Sequence, residues 1–128
     1  MKSYTDIEQS KKLAEILPIE SADACWTNHL FDSILSSWRV ESTPPQKYKS
    51  LLDRFVVRGY LIEPAWSLVG LLDVLPFPQL FKDKLGGGKV RWMVSVYPDN
   101  CRHDSCWHDN PVDACVGMII KLKELNSL

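Results

Sequence analysis

The densest chemistry in the chain lies in Cys101-Arg102-His103-Asp104-Ser105-Cys106-Trp107-His108-Asp109, where two thiols and two imidazoles fall within eight residues. A tetrahedral zinc site takes four Cys or His ligands, and both Cys-x4-Cys and His-x4-His are usual ligand spacings. The two pairs are interleaved in one short stretch without Gly, however, whereas familiar zinc sites join pairs from separated segments. A composite with Cys25 and His29 requires the fold to bring distant regions together. A second chemistry is a Cys–His pair, Cys106 with His103 or His108, in which an imidazole lowers the thiol pKa and raises the thiolate fraction. No third, orienting residue is nameable for it. The expectation is a polar exposed loop with no metal, no cofactor and no catalytic residue, with Cys101, His103, Cys106 and His108 as the runner-up metal set.

Other catalytic patterns find less support. No Gly-x-Ser-x-Gly turn is present to expose a serine nucleophile. Gly86-Gly87-Gly88 lacks the Gly-Lys-Ser/Thr ending of a phosphate loop and leads into a strand pattern, so it reads as a turn. Asp99, Asp104, Asp109 and Asp113 do not have the spacing of a calcium loop and read as turn and cap residues. Among the five Trp, Trp66 and Trp92 read as core. Trp26, Trp38 and Trp107 are the candidate binding residues, because Trp is enriched where interfaces concentrate their energy.

The elements that must position these groups are legible to different degrees. Thr5-Asp6-Ile7-Glu8 has capping-box spacing and predicts a helix from Thr5 to Leu17, ended by Pro18. Leu30, Phe31, Ile34, Leu35 and Trp38 recur at helical spacing, so Trp26 to Val40 leans toward helix, and a further apolar periodicity runs from Tyr48 to Ile62 with an open boundary at Gly59. Pro64 suits the first turn of a helix, and Ala65 to Leu75, apolar almost all round, reads as a buried central helix stopped by Pro76 and Pro78. Val90, Trp92, Val94 and Val96 alternate with Arg91, Met93, Ser95 and Tyr97, which predicts a strand over Lys89 to Tyr97. Its hairpin partner is Gln79 to Asp83, across the glycines. Asn110-Pro111 with Asp113 starts a last helix, Pro111 to Asn126, whose Val112, Cys115, Val116, Ile119 and Leu122 share a face. The architecture expected is α+β: one small antiparallel sheet packed by three to four helices in a single domain, residues 1–128.

With 128 residues, 45% of them hydrophobic and 24% charged, the chain is long enough to bury a core without a metal or disulfide. Fifteen Lys and Arg against sixteen Asp and Glu give a net charge of -1, which argues against nucleic acid and against an anionic membrane surface. Lys47, Lys49, Arg54 and Arg58 read as a solvated face. Met1 to Ser10 lacks a signal-peptide core, and no apolar run reaches the roughly twenty residues of a membrane span. A cytoplasmic protein with Cys25, Cys101, Cys106 and Cys115 as free thiols is expected.

Three segments carry a resemblance: Tyr4-Thr5-Asp6-Ile7-Glu8-Gln9-Ser10-Lys11-Lys12-Leu13 to Ser21-Ala22-Asp23; Pro64-Ala65-Trp66-Ser67-Leu68 to Leu75-Pro76; and Asn110-Pro111-Val112-Asp113-Ala114-Cys115 to Leu125. Together they resemble a family of short uncharacterised proteins abundant in gut anaerobic bacteria, with looser relatives in phages and integrated elements. The similarity spans roughly half the chain in three ordered segments. It implies no substrate, cofactor or catalytic residue, and the Cys101 to Asp109 run departs from the family pattern. Together these readings predict a non-catalytic protein-binding or regulatory accessory, of a mobile element or phage, with an unidentified protein partner. The alternative is a small Cys/His metal module or Cys-dependent enzyme.

Overall fold

A computed structural model describes residues 2–29, 38–44 and 60–128 of the chain. Its described residues form three α-helices and two three-stranded antiparallel sheets, an α+β architecture. The single small sheet expected from the sequence is thus two sheets. Contacts gather the chain into two compact units, Asp6–Ser67 and Met1–Thr5 with Leu68–Leu128. No described helix is long and apolar enough to cross a membrane.

The N-terminal unit begins with α1, Ile7–Ala14. Its capping box is one residue later than the Thr5/Glu8 spacing suggested. Asp6 is the N-cap, its carboxylate accepting from Gln9 N–H at 2.8 Å, and the Gln9 side chain accepts from Asp6 N–H at 3.1 Å. Thr5 is instead fully buried. The helix stops short of Leu17, with Ile16 and Leu17 N–H both turning back to Leu13 C=O before Pro18. β1 (Ala24–His29) is the middle strand of the first sheet, between β2 (Arg39–Glu41) and β3 (Tyr60–Ala65). The helix expected from Trp26 to Val40 is therefore overturned at both of its described ends, where Trp26 pairs with Val40 and Glu63. Residues 30–37 and 45–59 lie outside the described residues, and with them most of the Tyr48 to Ile62 periodicity and the Lys47, Lys49, Arg54 and Arg58 charges.

Pro64 opens no helix. It sits in β3, at the edge of its sheet among the described residues, where a missing backbone N–H is tolerated. Trp66 and Ser67 are then tied back within this unit: the fully buried Trp66 indole donates to Ser21 Oγ at 3.0 Å, while Ser67 N–H and Oγ both donate to the Asp23 carboxylate.

The C-terminal unit holds α2 (Leu68–Val74), shorter than the Ala65 to Leu75 helix predicted. Nor is it buried all round, since Leu71 is enclosed but Val69 is 67% exposed. Pro76 and Pro78 follow its end, as expected. β4 (Gln79–Lys84) and β5 (Val90–Val96) form the predicted hairpin, in register Asp83↔Arg91 and Phe81↔Met93. Gly87 and Gly88 take φ +80° and +79° in the turn, a region that favours glycine. β6 (His103–Asp104) adds to the far side of β5. α3 (Pro111–Glu124) has the expected Asn110 cap, with Oδ1 accepting from Asp113 N–H at 2.9 Å. Val112, Cys115, Val116, Ile119 and Leu122 are all buried, and α3 lies against both β5 and α2.

Candidate binding site

Alternation along β5 divides its side chains between two faces. Val94 and Val96 are fully buried on the face that α3 covers. Arg91, Met93 and Ser95 point to the other, together with Asp83 and Phe81 from β4 and Asp104 from β6, each directly opposite its partner in the register.

The segment beyond β6 keeps its backbone bonded to β5. Ser105 N–H donates to Val94 C=O at 2.9 Å, and Trp92 and His108 exchange both backbone bonds at 2.7 and 2.8 Å. Asp104 pairs with Ser95 and His108 with Trp92, so three steps along β5 (95 to 92) face four along the other chain (104 to 108). The extra residue is a β-bulge, with Ser105 and Cys106 opposite Val94. The Ser105 hydroxyl repairs the ladder there, accepting from Val94 N–H at 3.0 Å and donating to Cys106 C=O at 2.8 Å.

The bulge decides where the next two side chains go, because a shift of one residue moves a side chain to the opposite face. Continued without it, the register of β6 would set Trp107 opposite Trp92, under α3. With it, His108 takes that place and Trp107 emerges on the open face. His108 approaches α3 at Gly117, where a Cβ would lie 3.2 Å from its Nε2.

On the open face Trp107 is 39% exposed, and the Arg91 guanidinium lies 4.1 Å from its ring centroid. Asp83 holds that guanidinium from the next strand, with Oδ2 at 3.0 Å from Nε and 2.8 Å from Nη2. A second stack repeats the arrangement. Arg102 lies 5.5 Å from the centroid of Phe81, which is 37% exposed, and its Nε donates to Asp104 Oδ1 at 2.8 Å. The buried Ser95 hydroxyl donates to the same carboxylate oxygen at 2.5 Å. Ser95 first, then Arg102, hold the Asp104 carboxyl below the usual carboxylate range. Each aromatic ring thus carries a guanidinium that is already neutralised, which leaves an amphipathic surface of low net charge.

The candidates drawn from sequence are distributed differently. Trp26 and Trp38 are half-buried in the N-terminal unit, while Trp107 belongs to the C-terminal one. Trp66 is core, but Trp92 is only half-buried, its ring 5.2 Å from Lys82 Nζ. All four cysteines are free thiols; Cys101 and Cys106 are exposed, Cys25 and Cys115 buried. Burial, with a smaller effect from Glu41, pushes the Cys25 thiol up to about 11, and burial alone pushes Cys115 up to about 12. Among the described residues no hydrogen bond joins Cys106 to His103 or His108, and no three His, Cys, Asp or Glu side chains gather as metal ligands would. The His29 side chain of the composite set lies outside the described residues.

Sequence patterning does not mark Arg91, Phe81, Asp83 and Arg102 as candidate site residues. A signal for two of them existed: a hairpin centred on Gly87 puts Asp83 opposite Arg91. Comparison with protein-family models, with curated proteins and with solved structures finds no match to the chain.

Proposed function

We propose that this protein is a non-catalytic protein-binding or regulatory accessory and that the open face of the β4–β5–β6 sheet is its binding surface. The observation that carries the reading is Trp107, turned outward by a bulge and held under an arginine that Asp83 fixes in turn. Trp and Arg dominate interface energetics, and an anchor ordered before association loses less entropy on binding. The paired carboxylates support a protein partner over nucleic acid, since Arg91 and Arg102 are already neutralised. Resemblance to short proteins of gut anaerobes and phages supports an accessory of a mobile element, in the cytoplasm.

Recovery of a partner from native lysate, followed by alanine substitution of the three candidate tryptophans in turn, tests the assignment. Trp107→Ala should abolish recovery while the variant still melts cooperatively. Loss with Trp26→Ala or Trp38→Ala alone moves the site to the N-terminal unit. A turnover abolished by Cys106→Ala in a folded protein overturns the non-catalytic reading.

A further inference from the structure

Among the described residues, β4 lies at the edge of the C-terminal sheet and pairs with β5 alone. Trp92 exchanges both its backbone bonds with His108, and Val94 C=O accepts from Ser105, so the even-numbered residues of β5 present their backbone groups toward β6. Arg91, Met93 and Ser95 therefore present theirs to Asp83, Phe81 and Gln79. It follows that Leu80, Lys82 and Lys84 aim N–H and C=O away from the sheet, and among the described residues no hydrogen bond takes these groups up.

Side chains flank this edge in two kinds. Lys82 and Lys84, both exposed, stand on one face, while Phe81 stands on the other beside Asp83, whose carboxylate is held by Arg91. From Gln79 to Val96 the hairpin carries Lys82, Lys84, Lys89 and Arg91 against Asp83, four cations to one anion, or +3, in a chain whose net charge is -1. Lysines on an edge discourage indiscriminate pairing: an antiparallel second copy centred on this strand sets Lys82 against Lys82. The same charges favour a strand that brings carboxylates. A row of alternating backbone donors and acceptors is matched by another peptide backbone, whereas a phosphodiester chain supplies acceptors only.

We propose that the β4 edge binds an extended acidic peptide segment as a fourth strand, with its carboxylates beside Lys82 and Lys84 and its apolar side chains beside Phe81. This rests on the protein-binding reading of the chain but not on Trp107. Residues opposite Leu80, Lys82 and Lys84 would exchange backbone bonds with them and share their face. The acidic residues of the partner, not its apolar ones, therefore donate to β4.

The test is fluorescence anisotropy of a labelled Glu-Val octapeptide, strictly alternating, titrated with the full chain. Saturable binding is expected, weakened about tenfold by the double change Lys82→Glu and Lys84→Glu, both exposed, with the circular dichroism spectrum unchanged. N-methylation of the Glu residues should abolish binding, and N-methylation of the Val residues should leave most of it. Absence of binding, equal effects of the two N-methylated peptides, or comparable binding of a dT12 oligonucleotide overturns the proposal. Peptide binding that survives Trp107→Ala, in a chain whose lysate partner also survives it, would retain the edge and reject the Trp107 face.

Discussion

The two faces of the C-terminal sheet are built from alternate residues of the same strand yet are held by different forces. Under α3 the contacts are apolar and closed: Val94, Val96, Val112, Ile119 and Leu122 are out of water, each contributing roughly 1.5–3 kcal/mol or somewhat less for the smaller ones. On the open face the contacts are guanidinium on ring and carboxylate on guanidinium, partly in water and weakened by it. Stability is thus concentrated on one face. The other carries the part-exposed rings of Trp107 and Phe81, which the proposed binding surface uses.

The strongest way to break this comparison is to remove the covering element. Deletion of residues 111–128 strips the sheet of α3, and the C-terminal unit should lose its cooperative transition; a truncated chain that melts at the full-length temperature would contradict the division. Thiol chemistry sharpens it next. Burial holds the Cys115 thiol near 12 and the Cys25 thiol near 11, so at pH 8 an aromatic disulfide reagent should titrate two thiols, Cys101 and Cys106, in the native protein and four after denaturation. Rapid labelling of Cys115 would mean that α3 opens readily.

A smaller effect is expected where the bulge meets the helix. Gly117→Ala should gain roughly 1 kcal/mol from helix propensity in a His108→Ala background and less with His108 present, because the new Cβ meets Nε2 at 3.2 Å. A double-mutant cycle with no coupling between the two positions would show that His108 does not rest on the helix. The smallest effect belongs to Asp104. Its depressed folded-state pKa contributes stability that is present above the ordinary carboxylate pKa and lost as pH falls through the folded value. Asp104→Asn should therefore flatten part of the acid limb of the melting profile, and an identical limb in both proteins would discard the Ser95–Asp104–Arg102 linkage.

Sequence reasoning reached some of these features and not others, for physical reasons. The Asn110 cap, the glycine turn and the alternation through β5 are local signals, and their elements lie where the residues predict. β1 does not read as a strand because Leu30, Phe31, Ile34, Leu35 and Trp38 extend a helical period back over Trp26, while Ala24 and Cys25, adjacent and both buried, break strand alternation. Pro64 reads as a helix start because edge position, which lets a strand hold proline, is a property of the whole sheet. The bulge was invisible. It exists only as a mismatch between two registers, so the Cys101 to Asp109 run displayed its thiols and imidazoles while Trp107, the residue it serves to aim, looked undetermined.

The most direct measurement of the division between faces is a pair of thermal melts, Val94→Ala beside Trp107→Ala. Removing two buried methyl groups should cost about 1–3 kcal/mol, or roughly 3–10 °C, whereas removing the much larger indole should cost about 1 kcal/mol or less. If Trp107→Ala instead lowers the melting temperature as far as Val94→Ala does, the indole is holding the fold together and the open face is not a surface set aside for a partner.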